Sequence, residues 1–279
     1  GAALVTTGRL VHSLRLYLAA ACAVAVAAVV DSLASGFEPA YPFGLQKNFA
    51  GALLSVAFLL TLVGGSWLRL APRSLAWVQL CLALGLLGTR SRGAMVGTVV
   101  GLLVHGLVTR RHTRPERALA VAAAGVCVAF VFSTVSEDLA MSEANRGSTL
   151  DTRADYRAVA WSTWEASPVF GAGLRFFDRP GAALQSDPHS VVHLTLAESG
   201  LIGVAALVAL LAGTGRALRR QPGPLAAVAL AALAARLTHG LFDIYRVAGS
   251  QSIAWVLAGA AIAAPAHARS PKVPIDAAG

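Results

Sequence analysis

The side chains able to do chemistry are crowded into one stretch, Asp151 to Gly203: DTRADYRAVAWSTWEASPVFGAGLRFFDRPGAALQSDPHSVVHLTLAESGLIG. From Asp151 to Ser167 the pattern suits a helix, with Asp151 as its cap and Val159, Trp161 and Trp164 free to rest on a bilayer or on other helices. Arg153 and Arg157 stand four apart, so they share one face of that helix. A guanidinium offers a planar fork of N–H donors, which suits the oxygens of a phosphate. Pro168 ends the helix, and Gly171 and Gly173 allow a tight turn, although a lone Gly-x-Gly is a weak signature of a phosphate cradle. Phe176 and Phe177 are expected to dip into an interface. Asp187-Pro188-His189 reads as a helix start, with Asp at the cap and Pro in the first turn. His189 then lies at the positive end of the helix macrodipole, which disfavours imidazolium. A neutral imidazole is a usable general base near neutral pH; the plainer role is an interfacial histidine bonded to a nearby loop. His193, one turn on along the same face, is the fallback. Glu198 stands nine residues from His189, about half a turn round an ideal helix, which argues against its orienting that ring. As an acid within an apolar run it is either functional or a packing lock.

A second polar element precedes this one, Thr89-Arg90-Ser91-Arg92-Gly93. The uncharged run before it, 74–89, rises only about 24 Å, short of the hydrocarbon thickness of about 30 Å. The turn is therefore expected to be drawn into the outer leaflet, with Arg90 and Arg92 near the depth of lipid phosphates. Ordinary snorkelling to those phosphates competes with a ligand role, but arginines on the outer face oppose the usual charge bias and so favour function. Lys47, beside Asn48 at the opening of an apolar run, is better explained by snorkelling, with contact to an anionic ligand as its second role. Arg236, His239 and Asp243 are spaced three and four apart, on one helical face, where a charge network can form. A structural lock explains them at least as well as catalysis.

Composition dictates what must position these residues. At 279 residues, 56% hydrophobic and 13% charged, the chain is too apolar for a soluble domain of its size. Its uncharged runs do not alternate polar and apolar residues, so helices are the spanning solution. The expected fold is all-α: a polytopic transmembrane bundle of about eight spans, at 16–35, 49–68, 74–89, 93–109, 118–135, 190–213, 222–241 and 248–265. With the amino end inside, the inner segments hold Arg9, Arg15, Arg69, Arg73, Arg110, Arg111, Arg114, Arg117, Arg216, Arg219, Arg220, Arg269 and Lys272 against only Glu116 and Asp276. That is the positive-inside pattern. It accounts for the formal charge of +9 without invoking nucleic acid. The organisation expected is spans one to five in 1–135, one large extracytoplasmic loop with an amphipathic helix in 136–189, spans six to eight in 190–265, and a disordered cytoplasmic tail in 266–279. Cys22, Cys81 and Cys127 lie in apolar runs, lack metal-ligand spacing and are given no role. No carboxylates of metal-binding spacing cluster on the outer side.

Four pieces in order give the chain a resemblance to the O-antigen ligase and O-antigen polymerase family: Ser91-Arg92-Gly93; Arg153 ahead of Pro168, Gly171 and Gly173; His189; and Glu198-Ser-Gly-Leu-Ile-Gly203. The ending HGLFD, His239 to Asp243, and a last apolar span are also similar. No single piece is specific; their order and shared outer placement are. The resemblance implies a multi-pass glycosyltransferase of the bacterial cytoplasmic membrane that moves a saccharide from a polyprenyl diphosphate carrier to a hydroxyl on a glycan, lipid or protein, with no metal or other cofactor. It implies that Arg92 and Arg153 engage the diphosphate and that His189 serves the acceptor; from residue type and placement, Arg90, Arg157, Lys47 and His193 are expected as further substrate contacts. Glu198, Arg236, His239 and Asp243 form a second tier. Ser190 departs from the family, which usually has Asn after this histidine. Members usually have more spans before the arginine turn, so the chain is expected to be short or a piece of a longer one. The rival functions are a transporter or flippase of lipid-linked saccharides, which would need polar groups through the midplane or broken helices in matched halves, and an inactive subunit of an envelope-assembly complex.

Overall fold

The computed structural model describes residues 1–6, 8–109, 149–179, 188–242 and 252–269. Every regular element among the described residues is helical: α1 (Ala2–Thr6), α2 (Leu10–Ala34), α3 (Lys47–Thr61), α4 (Gly65–Leu68), α5 (Pro72–Gly88), α6 (Arg92–Thr109), α7 (Thr149–Ala166), α8 (Val191–Arg219), α9 (Pro224–Phe242) and α10 (Ser252–Arg269). The helices α2, α6, α8 and α9 are long and apolar enough to cross a membrane, and α3, α5 and Ser252–Ala264 within α10 are shorter apolar helices. The expected span 118–135, the adjoining parts of the large loop and the tail from 270 on lie outside the described residues, whereas the first four residues of the expected disordered tail, 266–269, are the helical end of α10. One expected span is corrected. The run 49–68 is not a single helix: α3 stops at Thr61, the chain turns through Gly64 at φ 98°, and α4 follows. Glycine tolerates that backbone conformation, whereas a side chain there is disfavoured. The amino-terminal α1, not anticipated, packs against α10.

Small residues set how the bundle closes. The most extensive helix pair is α6 with α9. Along α6, Gly93, Gly97 and Gly101 recur every four residues and form one stripe. A Cβ on Gly97 would stand 2.5 Å from the Ala235 carbonyl oxygen, and one on Gly101 would stand 2.9 Å from that of Ala231. The two backbones therefore approach more closely than any side chain would allow, the usual device where lipid removes a hydrophobic drive between helices. On the neighbouring side, α3 and α6 run parallel and are stitched at two levels: Ser91 Oγ donates to Asn48 Oδ1 at 2.9 Å, and Thr98 Oγ1 donates to Ser55 Oγ at 2.7 Å. Both pairs recur seven residues apart, two helical turns, so the register is the same at each level. Around these contacts lies an apolar core that includes Leu54, Leu59, Met95, Val228 and Leu257, each essentially inaccessible.

The polar turn is located by the same packing. Ala40 N–H donates to the Gly88 carbonyl at 3.0 Å, and the Arg90 guanidinium donates to the Phe37 carbonyl at 3.3 Å. The carboxyl end of α2, the amino ends of α3 and α6 and the carboxyl ends of α5 and α9 thus meet at one end of the bundle. Because α8 and α9 are joined by a short turn at 220–223, the amino end of α8 lies at that end too.

Substituting Gly97→Val should force α6 off α9 and lower the thermal stability of the purified protein by an overpacking cost of about 1–3 kcal/mol. Gly213→Val, where a new Cβ meets nothing within 4 Å, should leave it nearly unchanged. Melting followed by size-exclusion of a fluorescent fusion measures both, and equal losses would contradict the close-approach account.

Candidate functional site

The candidate residues are held in two groups at that end of the bundle. The first is built on α7 and α8. Helix α7 begins at Thr149, so Asp151 lies inside it and is not the cap that the sequence implied. Tyr156, Val159 and Ala160 of α7 pack with Phe176, Phe177, Leu194 and Ala197 into a small separate core. This contact fixes which way α7 faces. Tyr156 stacks on the His189 ring, with centroids 5.3 Å apart and planes 25° from parallel. Arg153 and Arg157 flank Tyr156 on the same helix, and the Arg157 Nε–H donates to the Arg153 carbonyl at 3.1 Å. Arg157 also acts electrostatically on His193. The structure therefore sets His189 against Tyr156, on the helix that carries Arg153 and Arg157; Tyr156 is a residue that sequence reasoning missed. Its spacing of three from Arg153 was the available signal.

The start of α8 is also corrected. The N-cap is Ser190, extended at φ −164° and ψ 123°, and His189 precedes the helix instead of occupying its first turn. His189 therefore sits one residue off the amino end of α8, still beside the positive pole of the macrodipole. Ser190 Oγ lies 3.0 Å from His193 Nδ1, so the cap side chain is engaged with the histidine of the first turn. Asp187 lies outside the described residues.

Below this point α8 breaks, and the break explains Gly171, Gly173, Glu198 and Gly200 together. Gly200 adopts φ 61° and ψ −157°, a region that is essentially glycine-only. The segment after Pro168 is clasped into the gap by main-chain bonds: Ala172 N–H to the Ala197 carbonyl at 2.7 Å, Gly173 N–H to Glu198 at 3.0 Å, Leu201 N–H to Pro168 at 3.0 Å and Ile202 N–H to Val169 at 3.3 Å. Glu198 is buried, and its carboxylate accepts the Phe176 N–H at 3.1 Å. Of the two roles open to Glu198, these contacts give the packing lock its substance. Phe177 is buried and Phe176 is half-buried, so these are not the aromatics that turn outward. The side chains that turn outward here are those of Phe170 and Leu174.

The second group surrounds the arginine turn. Arg90 has a left-handed backbone, φ 49°, and its guanidinium donates to the Phe37 carbonyl at the bundle surface. Arg92, half-buried, opens α6 directly after the Ser91–Asn48 bond, with Lys47 adjacent at the start of α3. His239 meets this turn from α9: a Cβ on Gly93 would stand 2.5 Å from His239 Cδ2 and 3.1 Å from Nε2. Arg236 Nη1 lies 2.8 Å from His239 Nδ1, and both residues are buried. A guanidinium can only donate, so Nδ1 accepts and the neutral ring carries its proton on Nε2, the nitrogen facing Gly93. Sequence spacing brought Arg236 and His239 together correctly but gave no hint that they rest on the arginine turn. Asp243 lies outside the described residues.

Two concavities sit at the opposite end of the bundle, one lined by His12, Arg15, Cys22 and Leu70 among others, the other by Arg216, Arg219 and Arg220. The candidate residues line neither. In comparison with known protein families, residues 77–208 match the family described as O-antigen ligase. That stretch begins within α5 and runs into α8, so it takes in Arg90, Arg92, Arg153, Arg157, His189, His193 and Glu198. No curated protein matches the chain.

The clasp yields a test. Gly200→Ala adds a side chain in a glycine-only conformation, against the Val169 carbonyl, and should cost about 1–3 kcal/mol or more in stability. Glu198→Gln keeps an acceptor for the Phe176 N–H and should melt close to the parent protein, whereas Glu198→Ala should lose about 1–3 kcal/mol. Gln and Ala variants that melt alike would show that hydrogen-bond acceptance is not what Glu198 supplies.

Proposed function

We propose, from the match of residues 77–208 to the O-antigen ligase family, that the chain is an integral-membrane glycosyltransferase acting on a saccharide carried by a polyprenyl diphosphate. The observation that carries the proposal is the stacking of Tyr156 on His189, which docks the arginine-bearing face of α7 against the histidine. Arg153 and Arg92 hold the diphosphate, with Arg157, Arg90, Lys47 and His193 as outlying contacts. His189 takes the proton of the acceptor hydroxyl. The acceptor oxygen forms a bond to the anomeric carbon as the bond from that carbon to the phosphate oxygen breaks, and the polyprenyl diphosphate departs with the electron pair. Charge grows on the departing diphosphate, and fixed guanidinium donors stabilise it without a metal ion. The candidate groups lie on the extracytoplasmic side, in a protein of the cytoplasmic membrane with both ends inside. Ligase and polymerase chemistry share this step and differ only in the acceptor.

Filling of the α8 break by the chain's own 168–173 segment favours transfer over transport of the same lipid-linked saccharide. A transporter uses the freed main-chain groups of a broken helix to coordinate its cargo; here those groups are bonded to the loop.

Arg92→Ala and Arg153→Ala should each reduce transfer by about 10²–10³-fold while the protein remains membrane-inserted. His189→Ala should lower turnover by about 10²–10⁴-fold with donor binding retained. The product should be inverted at the anomeric carbon. In an assay with purified donor, near-normal transfer by either arginine variant, or a retained anomeric configuration, would overturn this mechanism.

A further inference from the structure

Helix α8 is longer than the layer it has to cross. Its 29 residues rise about 43 Å, against a hydrocarbon thickness of about 30 Å. The interruption at Gly200 divides that length unevenly. Leu201 to Arg219 rises about 28 Å, close to the thickness of the hydrocarbon, while Val191 to Ser199 adds about 13 Å. The chemistry of the two parts agrees with this division. The longer part is uncharged until Arg216, and the shorter part carries His193 and Glu198. The break therefore stands at the outer end of a segment of about the length of a span, whose inner end carries Arg216 and Arg219.

At that level the clasped loop turns apolar side chains outward. Val169 is 47% exposed, Phe170 72% and Leu174 71%, and they lie beside Leu201 and Ile202, each 52% exposed. The latter two begin the lipid-facing surface that continues down α8 through Val208 and Leu210, so the loop patch is contiguous with it. Above the patch stand interfacial residue types. Trp164 Nε1–H is bonded to the Pro168 carbonyl at 3.0 Å, and Trp161 Nε1–H to Glu165 at 2.7 Å, while Arg175 and Arg179 follow on the exposed side of the loop. Indole rings at headgroup level with arginines beside them form the usual border between lipid and water. Asp155, Ala158 and Ser162 lie on the opposite, exposed face of α7.

We propose that Val169, Phe170 and Leu174 are embedded in the edge of the bilayer, so that the 168–174 loop is a lipid anchor and a depth stop for α7. The occupant of this patch is the acyl-chain border of the leaflet. Its consequence is positional: α7 is seated on the membrane surface, and Arg153, Arg157 and His189 are held near the level of lipid phosphates.

The test uses the full chain in nanodiscs of phosphatidylethanolamine and phosphatidylglycerol, with Cys22, Cys81 and Cys127 replaced by Ala. A nitrobenzoxadiazole label is attached through Phe170→Cys, or separately through Leu174→Cys, with Ala158→Cys as the water-facing reference. At 170 and 174 the emission should shift to the blue, and fluorescence should be lost to a nitroxide placed shallowly on the lipid acyl chain. At 158 it should be lost chiefly to aqueous iodide. Iodide quenching at 170 and 174 equal to that at 158 would put the patch in water. Protection from both quenchers would mean that protein covers it, a second copy or a partner. Either result overturns the proposal. No donor or turnover enters the measurement, so its outcome is separate from that of the transferase proposal.

Discussion

Backbone groups inside a membrane protein must find partners, and the break in α8 is where this chain meets that demand in an unusual way. Gly200 interrupts the helical ladder, which would strand carbonyls above it and N–H groups below it in a poorly hydrated region. The 168–173 segment supplies the missing partners in both directions, donating to Ala197 and Glu198 and accepting from Leu201 and Ile202. One local repair thus does architectural work over a longer range. It ties the end of α7 to α8, buries Phe177 beneath the junction, and leaves Tyr156 against His189. Without it only the small core around Ala160, Leu194 and Ala197 and the stacking on His189 would hold α7 to α8.

The second group obeys a different constraint. Arg236 and His239 are buried in α9, where an uncompensated polar side chain is costly. Each satisfies part of the other through the 2.8 Å contact at Nδ1, and Gly93 makes the room for the ring. The glycine stripe of α6 has two effects: it draws α9 close, and it seats His239 on the arginine turn. The Ser91–Asn48 bond pins the same turn from the side of α3. Arg92 therefore projects from a point fixed by three helices.

Much of this was legible in the sequence, and the failures have physical reasons. The long apolar runs announced the helices, and Pro168 marked the end of α7 to within two residues. The split of 49–68 at Gly64 was hidden because hydropathy averages over a turn whose residues are themselves apolar. Asp187-Pro188 resembles a helix start, yet Ser190, with a side chain able to reach His193, took the cap. Arg153, Arg157 and His189 could be singled out by residue type, but the docking of the arginine helix on His189 runs through Tyr156, whose partner is more than thirty residues away in sequence. Glu198 was recognisable as an anomaly inside an apolar run. Its partner, a main-chain N–H at Phe176, carries no side-chain signature that a sequence can display.

The central claim is that the arginines and histidine at one end of the bundle serve a single diphosphate-linked donor. It is tested most directly by a cryo-EM reconstruction of the protein in nanodiscs with a polyprenyl diphosphate saccharide bound. The account predicts diphosphate density within hydrogen-bonding distance of both Arg92 and Arg153, with the sugar directed toward His189. Density seated instead on Arg216, Arg219 and Arg220, at the opposite end of α8, would contradict it.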